Sequence, residues 1–175
     1  MELTNLHLLS ATEAARLIRD GVIGSEQFVE ACLARIAEVD GQVQAWTFLD
    51  PEYALQQARA ADQRRLSGTP IGPLHGVPIG IKDIFDSADM PAEYGSAIYA
   101  GRTPSRDASV VAMLRAAGAV IMGKTVTTEF AYFSPGKTRN PHNPEHTPGG
   151  SSSGSAAAVG ANMVPLAIGS QANSS

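Results

Sequence analysis

The sequence has almost no cysteine and no long apolar run. Cys32 is the one cysteine among 175 residues, so an internal disulfide is excluded. Its place on an apolar helical face predicts a buried structural thiol. No segment offers the roughly 20 consecutive apolar residues that a membrane-spanning helix needs. The first residues, Met-Glu-Leu-Thr-Asn, lack the basic and apolar parts of a signal peptide. We therefore expect a cytoplasmic protein that does not enter a membrane.

Positive charge is also scarce. Lys and Arg number 13 against 17 Asp and Glu, which gives a net charge of −4. Because nucleic-acid binding needs clustered basic residues, the sequence predicts no nucleic-acid partner. The four histidines lack a metal-ligand spacing with Cys or carboxylates, and we interpret them as ordinary loop or surface residues: His7, His75, His142 and His146. Neither a metal nor a cofactor is expected.

Helical signals dominate the first seventy residues. Start signals for three helices stand ahead of apolar residues at helical spacing: the capping box Ser10–Glu13, the N-cap Ser25 and the pair Asp50–Pro51. Gly21 and the segment Ser67–Pro70 supply stop signals. We therefore expect a helical N-terminal region over residues 1–70.

The pattern changes after residue 70. Three short, apolar segments predict buried strands: Val77–Ile84, Ala119–Gly123 and Val164–Gly169. Two further helices are predicted, one that follows Asp107 and ends at Gly118 and one over Gly154–Ala161. A Pro/Gly/Asn/Ser loop covers 133–153, and loops of that length in a compact domain are often functional. The predicted fold is α/β, with N-terminal helices followed by a partial mixed β-sheet flanked by helices.

Serine and glycine are concentrated at the end of that loop. The segment Pro148–Ser155 holds four serines and three glycines. N–H groups at the start of the following helix suit an anion, but a phosphate loop is excluded because no Gly-Lys-Ser/Thr follows the glycines. A flexible linker is the other interpretation. The position of the segment between a loop and a helix, inside the domain, argues against a linker.

Lys82 is the other residue with chemical potential. It follows an apolar run, Gly76–Ile81, and burial would lower its pKa and make the amine a usable base. The alternative is a lysine at the end of a strand, paired with Asp83 or another carboxylate. The strand alone favours that alternative.

Seven segments together resemble the N-terminal part of the amidase signature family. Their order and spacing are specific, and they cover nearly the whole chain: Gly76–Asp83, Gly123–Thr125, Glu129–Ala131, Thr138–Pro141, Pro148–Ser152, Ser155–Val159 and Gly169–Gln171. The resemblance implies the fold of that family and the hydrolysis of a carbon–nitrogen bond in a small linear amide.

The resemblance also implies a set of site residues. Lys82 matches the family's catalytic lysine, Ser151 its serine held by a cis peptide bond, and Ser175 its nucleophile. Backbone N–H groups before the nucleophile match the family's oxyanion hole: Ala172, Asn173 and Ser174, with Ser175 itself. The loop residues Gly149, Gly150 and Ser152 are expected to support the site or to contact substrate. The family needs no metal or cofactor.

Three departures from the family's pattern bear on activity. Val126 stands in place of an asparagine, and we expect it to affect local hydrogen bonding more than chemistry. Ser174 stands where the family has a glycine before the nucleophile, and we expect its Cβ to disturb the oxyanion hole. Family members also continue well beyond position 175. We therefore expect 1–175 to be a single incomplete amidase domain, with the α/β part of the catalytic core in 71–175.

The expected consequence is a truncated enzyme that is weakly active or inactive. Its exposed sheet edge is expected to favour a homodimer. Two other interpretations stay open. One is a non-catalytic remnant that binds or assembles with a partner chain, and the other is a protein similar to the amide-hydrolysing component of a glutamine-dependent amidotransferase.

Overall fold

The computed structural model describes residues 5–171, which form helices and a four-stranded sheet. The α-helices are α1 (Ala11–Arg19), α2 (Ser25–Val43), α3 (Pro51–Leu66), α4 (Ser109–Ala116) and α5 (Ser153–Gly160). The strands are β1 (Trp46–Leu49), β2 (Pro78–Lys82), β3 (Val120–Thr125) and β4 (Leu166–Ile168). The predicted strands and helices are confirmed in type and place. The prediction of helices alone before residue 70 is wrong, because β1 lies there; its four residues are too few to show alternation.

The helix starts follow the sequence signals at two of three places. The Ser10 hydroxyl accepts a hydrogen bond from the Glu13 N–H at 3.2 Å, as a capping box requires. Asp50 accepts one from the Tyr53 N–H at 3.0 Å, and Pro51 follows it. The predicted cap of α2 is wrong, because the hydroxyl of Ser25 donates to the Gly76 carbonyl instead.

A side chain from another helix caps α2. The two carboxylate oxygens of Asp62, in α3, accept hydrogen bonds from the N–H groups of Ser25 and Glu26 at 2.8 and 3.0 Å. A carboxylate also interacts favourably with the positive end of a helix dipole. The α2–α3 contact is therefore fixed by a polar bond as well as by apolar packing.

The sheet is mixed and has the order β1-β3-β2-β4. β2 pairs in parallel with β3 and with β4, and β1 pairs antiparallel with β3. Lys82 lies opposite Thr125 at the end of the parallel pair. The fold predicted from the sequence is confirmed, and β2, the strand that ends in Lys82, is central in the sheet.

Both faces of the sheet are covered. Val120 and Met122 belong to a core shared with residues of α1, α2, α3 and α5, whereas Ile121 belongs to a second core with residues of α4. This division follows from the alternation of side chains along a strand. Cys32 is fully buried, and burial raises the pKa of its thiol to about 12, so it is an inert part of the core. None of the helices between residues 5 and 171 is long and apolar enough to cross a membrane.

Candidate active site

Three serine hydroxyls surround the amine of Lys82. Its Nζ lies 2.7 Å from Ser151 Oγ, 2.8 Å from Ser170 Oγ and 3.0 Å from Ser152 Oγ. Lys82 is the last residue of β2, and its side chain is fully buried. Since an ammonium group has three donors, the three hydroxyls satisfy the amine without a carboxylate.

Burial lowers the pKa of Lys82 from 10.5 to about 8. The cause is the loss of water around the charged form, which a neutral hydroxyl compensates less well than a carboxylate does. A substantial fraction of the amine is therefore neutral near pH 8, and a neutral amine can accept a proton from a hydroxyl. The sequence prediction of a buried, basic Lys82 agrees with this environment.

Asp83 does not pair with Lys82, so the pairing named in that alternative is wrong. Successive residues of an extended chain point to opposite sides, and the Asp83 carboxylate contacts Lys124 Nζ at 2.9 Å instead. Both side chains are buried. The amine of Lys124 also donates to the carbonyls of Phe85 and Pro91. The structure thus separates two buried lysines: Lys124 contacts a carboxylate, and Lys82 contacts hydroxyls in the part of the chain that the structure describes.

A glycine pair turns the chain so that Ser151 reaches Lys82. Gly149 and Gly150 have φ angles of 79° and 62°, in the left-handed region that glycine adopts easily. The Ser151 carbonyl accepts a hydrogen bond from the Thr128 N–H at 3.2 Å. Residues 5–171 contain no cis peptide bond, so the cis bond expected at Ser151 is not found. The two glycines make the turn with trans bonds.

Ser152 and Ser170 join the glycine-serine loop to the end of β4. The Ser152 hydroxyl donates to the Ser170 carbonyl at 3.0 Å and accepts from the Ser170 N–H at 3.1 Å. Ser152 was expected only to support the site or contact substrate, and Ser170 had no assigned role. The signal for Ser170 was its place in the matched segment Gly169–Gln171. Only the parallel pairing of β2 with β4 brings it beside Lys82.

Val126 makes its contacts through the backbone. Its N–H donates to the Ala45 carbonyl at 2.9 Å, and its carbonyl accepts from the Gly154 N–H at 3.0 Å. These bonds hold the segment after β3 between β1 and α5. An asparagine side chain is not needed for them.

A cavity of about 390 Å³ opens beside Ser151. Glycine and hydroxyl residues form one part of its lining, including Gly149, Gly150, Ser151 and Ser153. Phe130, Tyr132 and Phe133 form another part, which we call the aromatic wall. Cavities of roughly 300–1,000 Å³ with a few placed polar groups commonly bind small molecules.

The predicted nucleophile and oxyanion hole lie outside the described residues. Ala172, Asn173, Ser174 and Ser175 follow Gln171, the last residue that the structure describes. Their roles stay predictions. Within residues 5–171 no group of three or more His, Cys, Asp or Glu side chains is arranged to hold a metal ion.

A family model described as Amidase matches residues 27–175. The chain belongs to the amidase family. This membership agrees with the glycine-serine loop, the buried lysine and the mixed sheet. The resemblance stated from the sequence is therefore confirmed.

Curated relatives of this amidase-family chain are components of amidotransferases. It is 44% identical to the glutamyl-tRNA(Gln) amidotransferase A subunit of Salinispora arenicola and 45% identical to that of Thermobifida fusca, each over 179 aligned residues. Both alignments cover 99% of this chain and 36% of the relative. The chain thus spans about a third of the length of these relatives.

Solved structures of other proteins have the same fold over the matched part. Native peptide amidase from Stenotrophomonas maltophilia matches with a TM-score of 0.85 and 37% identity, over 91% of this chain and 35% of that one. Fatty acid amide hydrolase matches with a TM-score of 0.86 and 29% identity, over 94% of this chain and 30% of that one. A third match is a chain from a vestigial protein complex linked to the origins of an s-triazine catabolic enzyme. It has a TM-score of 0.87 and 38% identity, and the match covers 92% of this chain and 37% of that one.

Proposed function

We propose that this chain carries the catalytic residues of a hydrolase that cleaves the carbon–nitrogen bond of a small linear amide. Ser175 is the nucleophile, Ser151 relays protons and Lys82 is the base. The observation that carries the proposal is the contact of buried Lys82 Nζ with Ser151 Oγ at 2.7 Å, where no carboxylate of residues 5–171 pairs with the amine. Family membership supports it independently.

The reaction begins with activation of the nucleophile. Neutral Lys82 takes the proton of the Ser151 hydroxyl, and Ser151 takes the proton of Ser175 as its oxygen attacks the amide carbon. N–H groups of Ala172 to Ser175 stabilise the resulting oxyanion, an effect worth about 3 to 4 kcal/mol per donor in serine hydrolases. The carbon–nitrogen bond then breaks, and the amine leaves with a proton that Ser151 returns to it.

Water completes the reaction. It attacks the acyl group on Ser175, gives a proton to the Ser151–Lys82 pair and releases a carboxylic acid. The pair then returns the proton to Ser175. No step needs a metal or an organic cofactor. The cavity beside Ser151 supplies the space for the substrate group next to the scissile bond.

A second candidate function is that of an amidotransferase component with glutamine as the amide. The identity of 44 to 45% with the glutamyl-tRNA(Gln) amidotransferase relatives favours it. The two functions share the same chemistry at Lys82, Ser151 and Ser175, and they differ in the amide. A preference for free glutamine over simple amides, measured as ammonia release, would support the amidotransferase role.

The activity of the 175-residue chain itself is expected to be weak. It spans 36% of its curated relatives' length, and the resemblance aligns Ser174 with a position where the family has glycine. The variant Ser174→Gly is therefore expected to be more active. A non-catalytic role in binding or assembly is the alternative, and it predicts no gain from this substitution. A cytoplasmic location remains a prediction from composition.

Self-association through the sheet edge is part of the proposal. β4 pairs with β2 along one side, and the described part of the chain gives it no strand on the other. All three residues of β4 are partly exposed. Unpaired strand edges favour pairing with another chain. We expect a dimer by sedimentation, and Ala167→Pro, which removes one strand N–H, should weaken it.

Labelling with a fluorophosphonate tests the catalytic assignment. The reagent reacts with activated serines, and mass spectrometry locates the label. We expect slow modification at Ser175, none in Ser175→Ala, and a loss of at least tenfold in Lys82→Met and Ser151→Ala. Ser105→Ala, at an exposed turn, is the matched control. Labelling of Ser175 that is independent of Lys82 would overturn the proposed roles.

A further inference from the structure

The aromatic wall of the cavity is held in a defined conformation. Phe130 and Ala131 have φ angles of 50° and 57°, a region that residues other than glycine rarely adopt. Hydrogen bonds fix this conformation: the Phe130 N–H donates to the Tyr94 carbonyl at 2.9 Å, and the Thr128 hydroxyl donates to the Tyr132 carbonyl at 2.6 Å. Residues in unfavourable backbone conformations are concentrated at binding and catalytic sites.

The rings of this wall are exposed. Tyr132 and Phe133 are 70% and 71% exposed, and their ring centroids lie 4.5 Å apart. Phe130 is 47% exposed. Aromatic rings interact with one another in tilted or offset arrangements in addition to burying apolar area. A wall of this kind favours a planar ring over a flexible aliphatic chain.

One hydroxyl of the cavity lining differs from its neighbours. Thr128 and Thr138 donate to the carbonyls of Tyr132 and Gln44, and the Ser151 hydroxyl is bonded to Lys82. Ser153 is buried, and its Oγ has no hydrogen-bond partner among the residues that the structure describes. A buried hydroxyl without a partner is unfavourable. This oxygen is enclosed in the observed rotamer, and a ligand atom becomes its partner once the side chain turns about its Cα–Cβ bond, since a hydroxyl both donates and accepts.

The lining carries no charged side chain. Among the described residues that form the cavity there is no Lys, Arg, Asp or Glu. A charged group placed there would lose its water without gaining a counter-charge. The cavity therefore favours a neutral occupant with a ring and one polar atom.

We propose that the cavity binds a neutral aromatic ring of the amide substrate, and that the Ser153 hydroxyl bonds a polar substituent on that ring. The proposal rests on the proposed function in taking this cavity as the place of the substrate. It adds the substrate class, ring-bearing amides with an uncharged polar substituent. It also adds Ser153 as a residue that determines specificity.

Ligand binding observed by NMR tests this inference without turnover. The probes are phenylacetamide, 4-hydroxyphenylacetamide, 4-carboxyphenylacetamide and cyclohexylacetamide, titrated into the full chain. We expect 4-hydroxyphenylacetamide to bind most tightly, with shifts at the amides of Ser153 and Tyr132. Ser153→Ala should lower the affinity for that ligand by about threefold to tenfold and leave the affinity for phenylacetamide unchanged. Ser105→Ala is the control.

Other outcomes would contradict the inference. Equal affinities for the phenyl and cyclohexyl probes would exclude a role for the aromatic wall. An unchanged preference for the hydroxyl probe in Ser153→Ala would exclude the hydrogen bond. Tight binding of the carboxylate probe would exclude a neutral cavity. Failure of fluorophosphonate labelling with normal probe binding would overturn the proposed function and leave only the preference of the cavity for a neutral aromatic ring.

Discussion

Lys82 Nζ and Ser151 Oγ lie 2.7 Å apart, although 69 residues separate them in the sequence. The contact depends on two structural features. Parallel pairing with β3 and β4 places the end of β2 inside the protein, and the Gly149–Gly150 turn directs Ser151 toward it. Among the described residues, Lys82 has hydroxyls and no carboxylate as partners, which is the arrangement that a proton-accepting amine needs.

The pH dependence of stability should report the burial of Lys82. Its pKa is about 8 in the folded protein and 10.5 in the unfolded reference. Between these values the unfolded chain binds more protons, so stability rises with pH across this window. The free energy of unfolding of the wild type, measured relative to that of Lys82→Met, should rise by up to about 3 kcal/mol from pH 8 to pH 10.5. Urea unfolding at each pH measures this free energy. Lys137→Met, a substitution at an exposed site, is the control. A stability difference between the wild type and Lys82→Met that does not change with pH would contradict the burial of a charged Lys82.

The buried pair of Asp83 and Lys124 should be sensitive to the loss of one partner. Lys124→Met leaves the Asp83 carboxylate buried without its cation, which typically costs about 3–5 kcal/mol. The double variant Asp83→Asn with Lys124→Met removes both charges and should lose less than the single variant. Chemical denaturation of the two variants measures the difference. If the double variant were less stable than Lys124→Met, the cost of the single substitution would not come from an unpaired buried carboxylate.

Two glycines should respond in opposite ways to alanine. A Cβ at Gly154 would collide with the backbone N of Val126 and the carbonyl oxygen of Ala45, whereas a Cβ at Gly41 in α2 meets nothing within 4 Å. Gly41→Ala should stabilise the protein by about 1 kcal/mol through helix propensity. Gly154→Ala should destabilise it by about 3 kcal/mol or more. Thermal unfolding compares the two variants. Equal changes in Tm would argue against the close packing of α5 on the segment that follows β3.

Local sequence signals predicted the helices and strands more completely than the site contacts. Asp50–Pro51 and Ser10–Glu13 predicted helix starts because their hydrogen bonds lie within one turn. The cap of α2 by Asp62 could not be predicted, since it joins residues 37 positions apart. For the same reason, Ser170 and the partner of Asp83 became clear only once the strand order was known. The family resemblance, rather than spacing alone, connected Lys82 with Ser151.

A direct measurement of the Lys82 pKa tests the central claim. Isotope-edited NMR of the lysine side chains across pH 6–12, with Lys82→Met to assign the signal, gives the titration of this amine. We expect a titration midpoint near 8 for Lys82, well below the ordinary pKa of 10.5. A midpoint at or above 10.5 would mean that the amine stays charged, and Lys82 could not then be the base that activates Ser151.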